Sequence, residues 1–263
     1  MKLPGAHVLV TGASRGIGGL VADGAAARGA TVTLVARSAD NLAARAAAAD
    51  GQVLPCDLAD PAQRAGLVER AEKAAGRPLD VHVNCAGVDE AAGMLEVTAE
   101  QLRRLYEVNL LAPAELMRQA LPGMVARRRG HLVTVSSGFS TVTGPGLTPY
   151  ASSKAGLSHF HAGVRLELRG TGIGTTLVEP GPVGTDMYAR IESHGLSAAV
   201  VDRLVRLQLT RVVAPEEVAT QVLDAVESGR QHVVLPRRMS PVLAFTWLPR
   251  RVGDVVLTGI PRR

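Results

Sequence analysis

Seven short, valine-rich runs spaced by helix-length stretches constrain this chain more than any other feature. Residues 6–10, 30–36, 52–55, 80–84, 131–136, 173–179 and 232–235 read as strands. Between them, residues 16–28, 39–48, 61–75, 99–127, 150–169 and 215–228 are rich in Ala, Leu and Arg and read as helices. Strands that alternate with helices predict βαβ units, and so an α/β fold with a doubly wound parallel sheet of about seven strands covered by helices on both faces. No internal repeat or low-complexity linker breaks the pattern, so residues 1–235 are expected to form one domain. Residues 183–212 interrupt the alternation between the sixth strand and the last helix. An insertion of that length beside a sheet edge reads as a lid.

A chain of 263 residues is long enough to bury the core such a sheet requires. Aromatic residues are only 3%, so the core must be built from Ala, Val and Leu. The N-terminus enters a strand pattern almost at once, and no apolar run is long enough to span a bilayer, which predicts a cytoplasmic protein. Cys56 and Cys85 are then expected to be free thiols. The net charge of +5 is concentrated after Pro236, where six arginines face one acid, Asp254. The body is neutral, which argues against a nucleic-acid-binding domain. Residues 236–263 form a basic, apolar extension that includes Phe245 and the only tryptophan, Trp247. It could pack on the body or on a neighbouring subunit, or make weak contact with a membrane surface.

The first strand runs into Thr11-Gly12-Ala13-Ser14-Arg15-Gly16-Ile17-Gly18. Glycines at 12, 16 and 18, after a strand and before a helix, suit a pyrophosphate held against bare backbone N–H groups at a helix N-terminus. A tight strand-to-helix turn would use glycines the same way; the βαβ context is what points to a nucleotide. The second strand ends in Ala36-Arg37-Ser38, with no acid to accept from a ribose 2′-hydroxyl. Arg37, with Arg15 beside the glycine turn, suits a 2′-phosphate and hence NADP(H) over NAD(H). A solvated strand end would also account for Arg37.

Tyr150 precedes Lys154 by four residues, which places both on one helix face if a helix begins at Tyr150. A free phenol titrates near 10, too high for proton exchange near neutrality, and a neighbouring ammonium and the positive helix end would both lower it. Ser137 ends the fifth strand, where ligands of parallel sheets bind. Ser136 is its rival, and strand alternation gives the two opposite facings. Pro113 has no N–H, so the carbonyl of Asn109 loses its helical donor, and the helix is expected to bend there with that carbonyl free for water. Ser152 and Ser153 read as helix filler.

Taken together, TGASRGIG (11–18), CDL (56–58), NCAG (84–87), Asn109, SS (136–137), YASSK (150–154) and PGPVGT (180–185) resemble the short-chain dehydrogenase/reductase superfamily over nearly the whole chain to about residue 235. Cys85 departs from the family pattern, which has a second Asn there. The resemblance implies a Rossmann-like fold and hydride transfer between NADP(H) and the ketone or secondary alcohol of a small molecule. It implies catalytic roles for Asn109, Ser137, Tyr150 and Lys154, with water on Asn109 relaying protons to the lysine. Gly12, Ser14, Arg15, Gly16, Ile17, Gly18 and Arg37 would bind the nucleotide, with Asp57 and Leu58 at the adenine. Asn84, Ala86 and Gly87 would line the cleft. Pro180 and Gly181 would turn the chain, Val183 and Thr185 would contact the carboxamide, and Tyr150 and Lys154 would hold the nicotinamide ribose. A homodimer or homotetramer is expected, and no metal. Met94, Leu95, Phe139, Val142, Leu147, Met187, Tyr188 and Leu196 suggest an apolar substrate pocket. Three rival readings share this fold: a non-catalytic NADP-binding regulator, a dehydratase or epimerase with a retained cofactor, and a membrane-surface enzyme acting on lipid-like substrates.

Overall fold

The computed structural model describes residues 1–49, 51–89, 93–193 and 195–241. The chain runs through β1 (His7–Thr11), α1 (Gly16–Ala27), β2 (Thr31–Ala36), α2 (Ala39–Ala49) and β3 (Gln52–Pro55). Next come α3 (Pro61–Arg64), α4 (Leu67–Ala75), β4 (Val81–Asn84) and α5 (Ala99–Tyr106). A π-helical turn (Glu107–Leu111) joins α5 to α6 (Ala112–Ala126), followed by β5 (Gly130–Val135), a 3-10 turn (Gly138–Ser140), α7 (Thr148–Glu167) and β6 (Ile173–Pro180). Then follow α8 (Asp186–Ser193), α9 (Gly195–Arg206), α10 (Pro215–Ser228), β7 (His232–Leu235) and a 3-10 turn (Arg237–Met239).

All seven strands pair in parallel, in the order β3-β2-β1-β4-β5-β6-β7. The chain winds outward from β1 and then returns to β4, so β1 and β4 meet at the point where the winding reverses. Period-two alternation divides the side chains between two cores. Val8 and Val10 of β1 join Val32, Val81 and Val83 under α1 and α10, where Ala22, Ala25, Val218 and Val222 pack. Leu9, Val35 and Leu132 face the other way, onto Leu67 of α4, Leu116 and Met117 of α6, and Val164 of α7.

Two predicted helices are interrupted, each for a visible reason. The stretch 61–75 breaks at Gly66, which takes a left-handed conformation (φ 63°). The break leaves the Arg64 side chain buried, where it pairs with Glu107 (2.6 Å) and Glu115 (2.8 Å) and donates to the Leu58 carbonyl (2.5 Å). The stretch 99–127 opens into the π turn, where Ala112 N–H bonds the Glu107 carbonyl five residues back. Pro113 cannot continue an α ladder, and the bend expected there takes the form of this wider turn. Helix α7 begins at Thr148 rather than Tyr150, with Pro149 in its first turn.

The segment 183–212 forms α8 and α9, and a bridge between Val183 and Val213 closes the excursion. A third apolar cluster joins this segment to α7 through Ile191, Val201, Leu147 and Tyr150. Packing does not stop at residue 235. The space that a side chain at Gly138 or Gly181 would need holds Met239. The Arg238 guanidinium donates to the Thr210 carbonyl. Phe245, Trp247 and the remainder of 242–263 lie outside the described residues. Among the described residues no helix is long and apolar enough to cross a membrane.

Three imidazoles of the sheet and one of α7 are buried. His7 bonds Thr33, His131 bonds Thr176 and His161 bonds Thr134, whereas both ring nitrogens of His82 lack a hydrogen-bond partner. Burial pulls His82 and His131 down to about 4 and His161 to about 3. The unfolded chain therefore binds more protons than the folded one between about pH 6.5 and 4, so stability is intact above that window and lost as pH falls through it. For His82 alone the full loss is about 3 kcal/mol. His82→Leu should flatten the decline in Tm between pH 7.5 and 4.5; a decline as steep as the parent's would reject this account.

Candidate active site

A cleft of about 760 Å³ opens beyond the carboxyl ends of the strands. At one end lies the turn after β1. Gly12 (φ 71°) lets the backbones of β1 and β4 come together, since a Cβ there would stand 2.8 Å from Ala86 Cα. A Cβ on Gly18 would fall 2.5 Å from the Gly12 carbonyl oxygen. Thr11 completes the junction by accepting from Cys85 N–H (3.1 Å) and Ala86 N–H (3.2 Å). Helix α1 starts from Arg15 with no side-chain cap and no acid in its first turn, so its first N–H groups are left to a ligand. This bare cradle fits a dinucleotide pyrophosphate.

The turn contributes Gly12, Ser14, Arg15, Gly16, Ile17 and Gly18 to the cleft, and Arg37 follows β2. Asp57 and Leu58 lie after β3, and Ala86 and Gly87 after β4. Pro180, which ends β6, and Gly181, Val183 and Thr185 after it also line the cleft. Two features differ from expectation. Asn84 does not line the cleft; alternation aims it away from the Val83 face, and its amide is buried without a hydrogen-bond partner. Arg15 pairs with Asp186 of α8 (3.1 Å), which ties the glycine turn to the 183–212 segment. A third guanidinium, Arg104 of α5, lines the cleft 3.5 Å from Asp57.

At the other end Ser137, Tyr150 and Lys154 line the wall. Ser137 caps the 3-10 turn by accepting from Phe139 N–H (3.1 Å). Its neighbour Ser136 turns inward and donates to the Lys154 carbonyl (3.1 Å). Burial pushes the Tyr150 phenol up to about 12, with a hydrogen bond to Ser137 pulling the other way. This corrects the expectation that Lys154 holds the phenol low. The Lys154 ammonium donates to the Val135 carbonyl (3.1 Å), stands 6.0 Å from the Tyr150 ring centre and is itself pulled down to about 8 by burial. Cys85 lines the cleft, and burial pushes its thiol up to about 12.

Asn109 is fully buried, and its side chain is engaged. The amide brackets Val88, accepting from its N–H and donating to its carbonyl (both 2.9 Å), and donates to Ser153 Oγ (3.0 Å). Ser153 in turn donates to the Tyr150 carbonyl (2.7 Å). Ser153 is therefore a link between the π turn and α7 and not filler. Ser152 bonds Tyr106 across to α5 (2.7 Å). Gly87 is the residue between Lys154 and Asn109: a Cβ there would lie 3.4 Å from Nζ and 3.5 Å from Oδ1. Of the apolar residues expected to form a substrate pocket, Phe139, Met187 and Tyr188 line the cleft, joined by Val88, Ile191 and Val201. Leu147 belongs to the core, Met94, Leu95 and Val142 are exposed, and the Leu196 side chain lies outside the described residues.

A doubly wound parallel sheet whose cleft joins a phosphate cradle to a buried phenol places the molecule among the dinucleotide-dependent α/β oxidoreductases. Residues 6–196 match the family model of the short chain dehydrogenases, and the chain belongs to that family. It is 31% identical over 273 residues to the ketoacyl reductase HetN of Nostoc sp. (strain PCC 7120), covering 99% of this chain and 88% of that protein. It is 32% identical over 239 residues to the 3-ketodihydrosphingosine reductase of Bos taurus, covering 87% and 71%. The solved short-chain dehydrogenase from Sphingobium yanoikuyae in complex with NADPH superposes with a TM-score of 0.81 at 25% identity, covering 98% of each chain.

The β1–β4 junction depends on one hydroxyl. Thr11→Val keeps the shape but leaves the Cys85 and Ala86 N–H groups without their acceptor, at a cost of roughly 1–3 kcal/mol. Thermal melting should show a Tm lower by several degrees; an unchanged Tm would remove Thr11 from this account.

Proposed function

We propose that the protein is an NADPH-dependent reductase of ketones carried on apolar, acyl-type chains. When bound, the reduced nicotinamide supplies the hydride for the carbonyl carbon. The observation that carries the reading is that Ser137, Tyr150 and Lys154 line the same cleft as the phosphate cradle. Ser137 donates to the carbonyl oxygen and stabilises the charge that develops on it. Tyr150 passes its proton to that oxygen. A phenol held near 12 stays protonated at working pH, which suits a donor in the reducing direction. An alkoxide is a stronger base still, so the transfer runs downhill. Lys154 holds the nicotinamide ribose, and its ammonium offsets negative charge as the phenol is depleted. Asn109 fixes the β4 exit against α7, so that Gly87 leaves a narrow gap between it and the lysine.

Support for NADP comes from Arg37 at the end of β2, from Arg15 and Arg104 on the cleft and from the absence of an acid among the residues that end β2. The NADPH in the Sphingobium neighbour agrees with this. Support for an acyl-type ketone comes from the apolar wall of Phe139, Met187 and Ile191 and from relatives that carry ketoacyl and ketodihydrosphingosine names.

Tyr150→Phe should lower kcat by at least about 100-fold with a 3-oxoacyl thioester, while the NADPH Kd stays within about twofold. Near-parental turnover would overturn the role of Tyr150. Arg37→Asp should raise the NADPH Kd about tenfold or more and leave that of NADH nearly unchanged. Equal effects on both nucleotides would reject the 2′-phosphate contact.

A further inference from the structure

The four side chains above leave a buried carboxylate unexplained. Glu179, on β6, is fully buried at a position where an apolar side chain would avoid the cost of desolvating a charge. Its Oε1 lies 2.5 Å from Ser140 Oγ and 2.9 Å from Ser158 Oγ, and its Oε2 lies 2.8 Å from His232 Nε2. The three partners come from three elements. Ser140 closes the turn that Ser137 begins, and its N–H bonds the Ser137 carbonyl (3.0 Å). Ser158 stands one helical turn beyond Lys154 on α7. His232 opens β7 and is the partner that reaches solvent, with 30% of its side chain exposed.

The contacts run on from the carboxylate toward the catalytic helix. A carboxylate only accepts, and a serine has one proton to give. Ser140 Oγ and Ser158 Oγ both lie within hydrogen-bond reach of Oε1, and Ser158 Oγ is also 2.7 Å from Ser136 Oγ. Ser136 is the residue that also reaches the Lys154 carbonyl (3.1 Å). One carboxylate oxygen thus contacts a hydroxyl of the Ser137 turn and a hydroxyl of α7. An amide in its place would carry no charge and would keep one accepting oxygen instead of two. His161 of α7 also faces Glu179, and burial keeps it neutral.

We propose that Glu179 is a positioning residue for catalysis: its carboxylate, paired with His232, holds the Ser137 turn in register with the Tyr150–Lys154 face of α7. The proposal rests on the roles given to Ser137, Tyr150 and Lys154 above. The test uses the full chain, NADPH and a medium-chain 3-oxoacyl N-acetylcysteamine thioester. Glu179→Gln should lower kcat about tenfold or more, with KM and the NADPH Kd within about twofold, because misplacing reacting groups costs rate and not binding. Without nucleotide, amide hydrogen exchange should quicken in residues 137–141 and 152–158 and stay unchanged in residues 11–19. Ser140→Ala and Ser158→Ala should shift kcat in the same direction, and they decide the matter alone if Glu179→Gln does not fold. Parental kcat in the folded variants, or exchange that quickens uniformly across the chain, overturns the proposal. An inactive Tyr150→Phe beside a normal Glu179→Gln rejects Glu179 only, whereas an active Tyr150→Phe rejects the reading of the site itself.

Discussion

The close approach of β1 and β4 at Gly12 and Ala86 sets the geometry on which the rest depends. At this point the winding of the sheet reverses, so the two strand ends diverge and leave a crevice between the loops that follow them. The crevice stays open and narrow because no Cβ separates the two backbones and because Thr11 takes up the N–H groups of Cys85 and Ala86. Helix α1 then starts at the crevice with its N–H groups uncapped. Parallel pairing does the remainder: every strand delivers its carboxyl end to the same edge, so residues more than a hundred positions apart share one cleft.

The catalytic end is assembled differently, by polar side chains buried beneath the cleft. Arg64 clamps the π turn through Glu107 and Glu115, the π turn presents Asn109, and Asn109 holds both Val88 and Ser153. On the far side Glu179 gathers Ser140, Ser158 and His232. Buried ions and amides are costly unless all their hydrogen bonds are met, and when they are met they favour a single arrangement. Tyr150 and Lys154 lie between these two networks, and their own titration is governed by burial, upward for the phenol and downward for the ammonium.

Legibility in the sequence varies with the range of the interaction. The strands are placed to within about a residue, since short valine-rich runs are local signals. The glycine turn and the i, i+4 spacing of Tyr150 and Lys154 are equally local. The break in 61–75 is less visible, because Gly66 matters only once Arg64 finds two glutamates from distant segments. Ser153 and Arg104 carry no motif that isolates them, and their partners come from other helices.

The amino-acid order by itself determined the alternation of strands and helices, the position of the phosphate cradle and the register of the tyrosine with its lysine. Each follows from backbone preference or periodicity within a few residues. Tertiary structure alone decided that Asn84 turns into the interior, that the Asn109 amide brackets Val88, that Met239 packs beneath Gly138 and Gly181, and that burial raises the Tyr150 phenol. Desolvation is the physical reason: it sums over every atom packed around a group, and most of those atoms belong to residues far away along the chain.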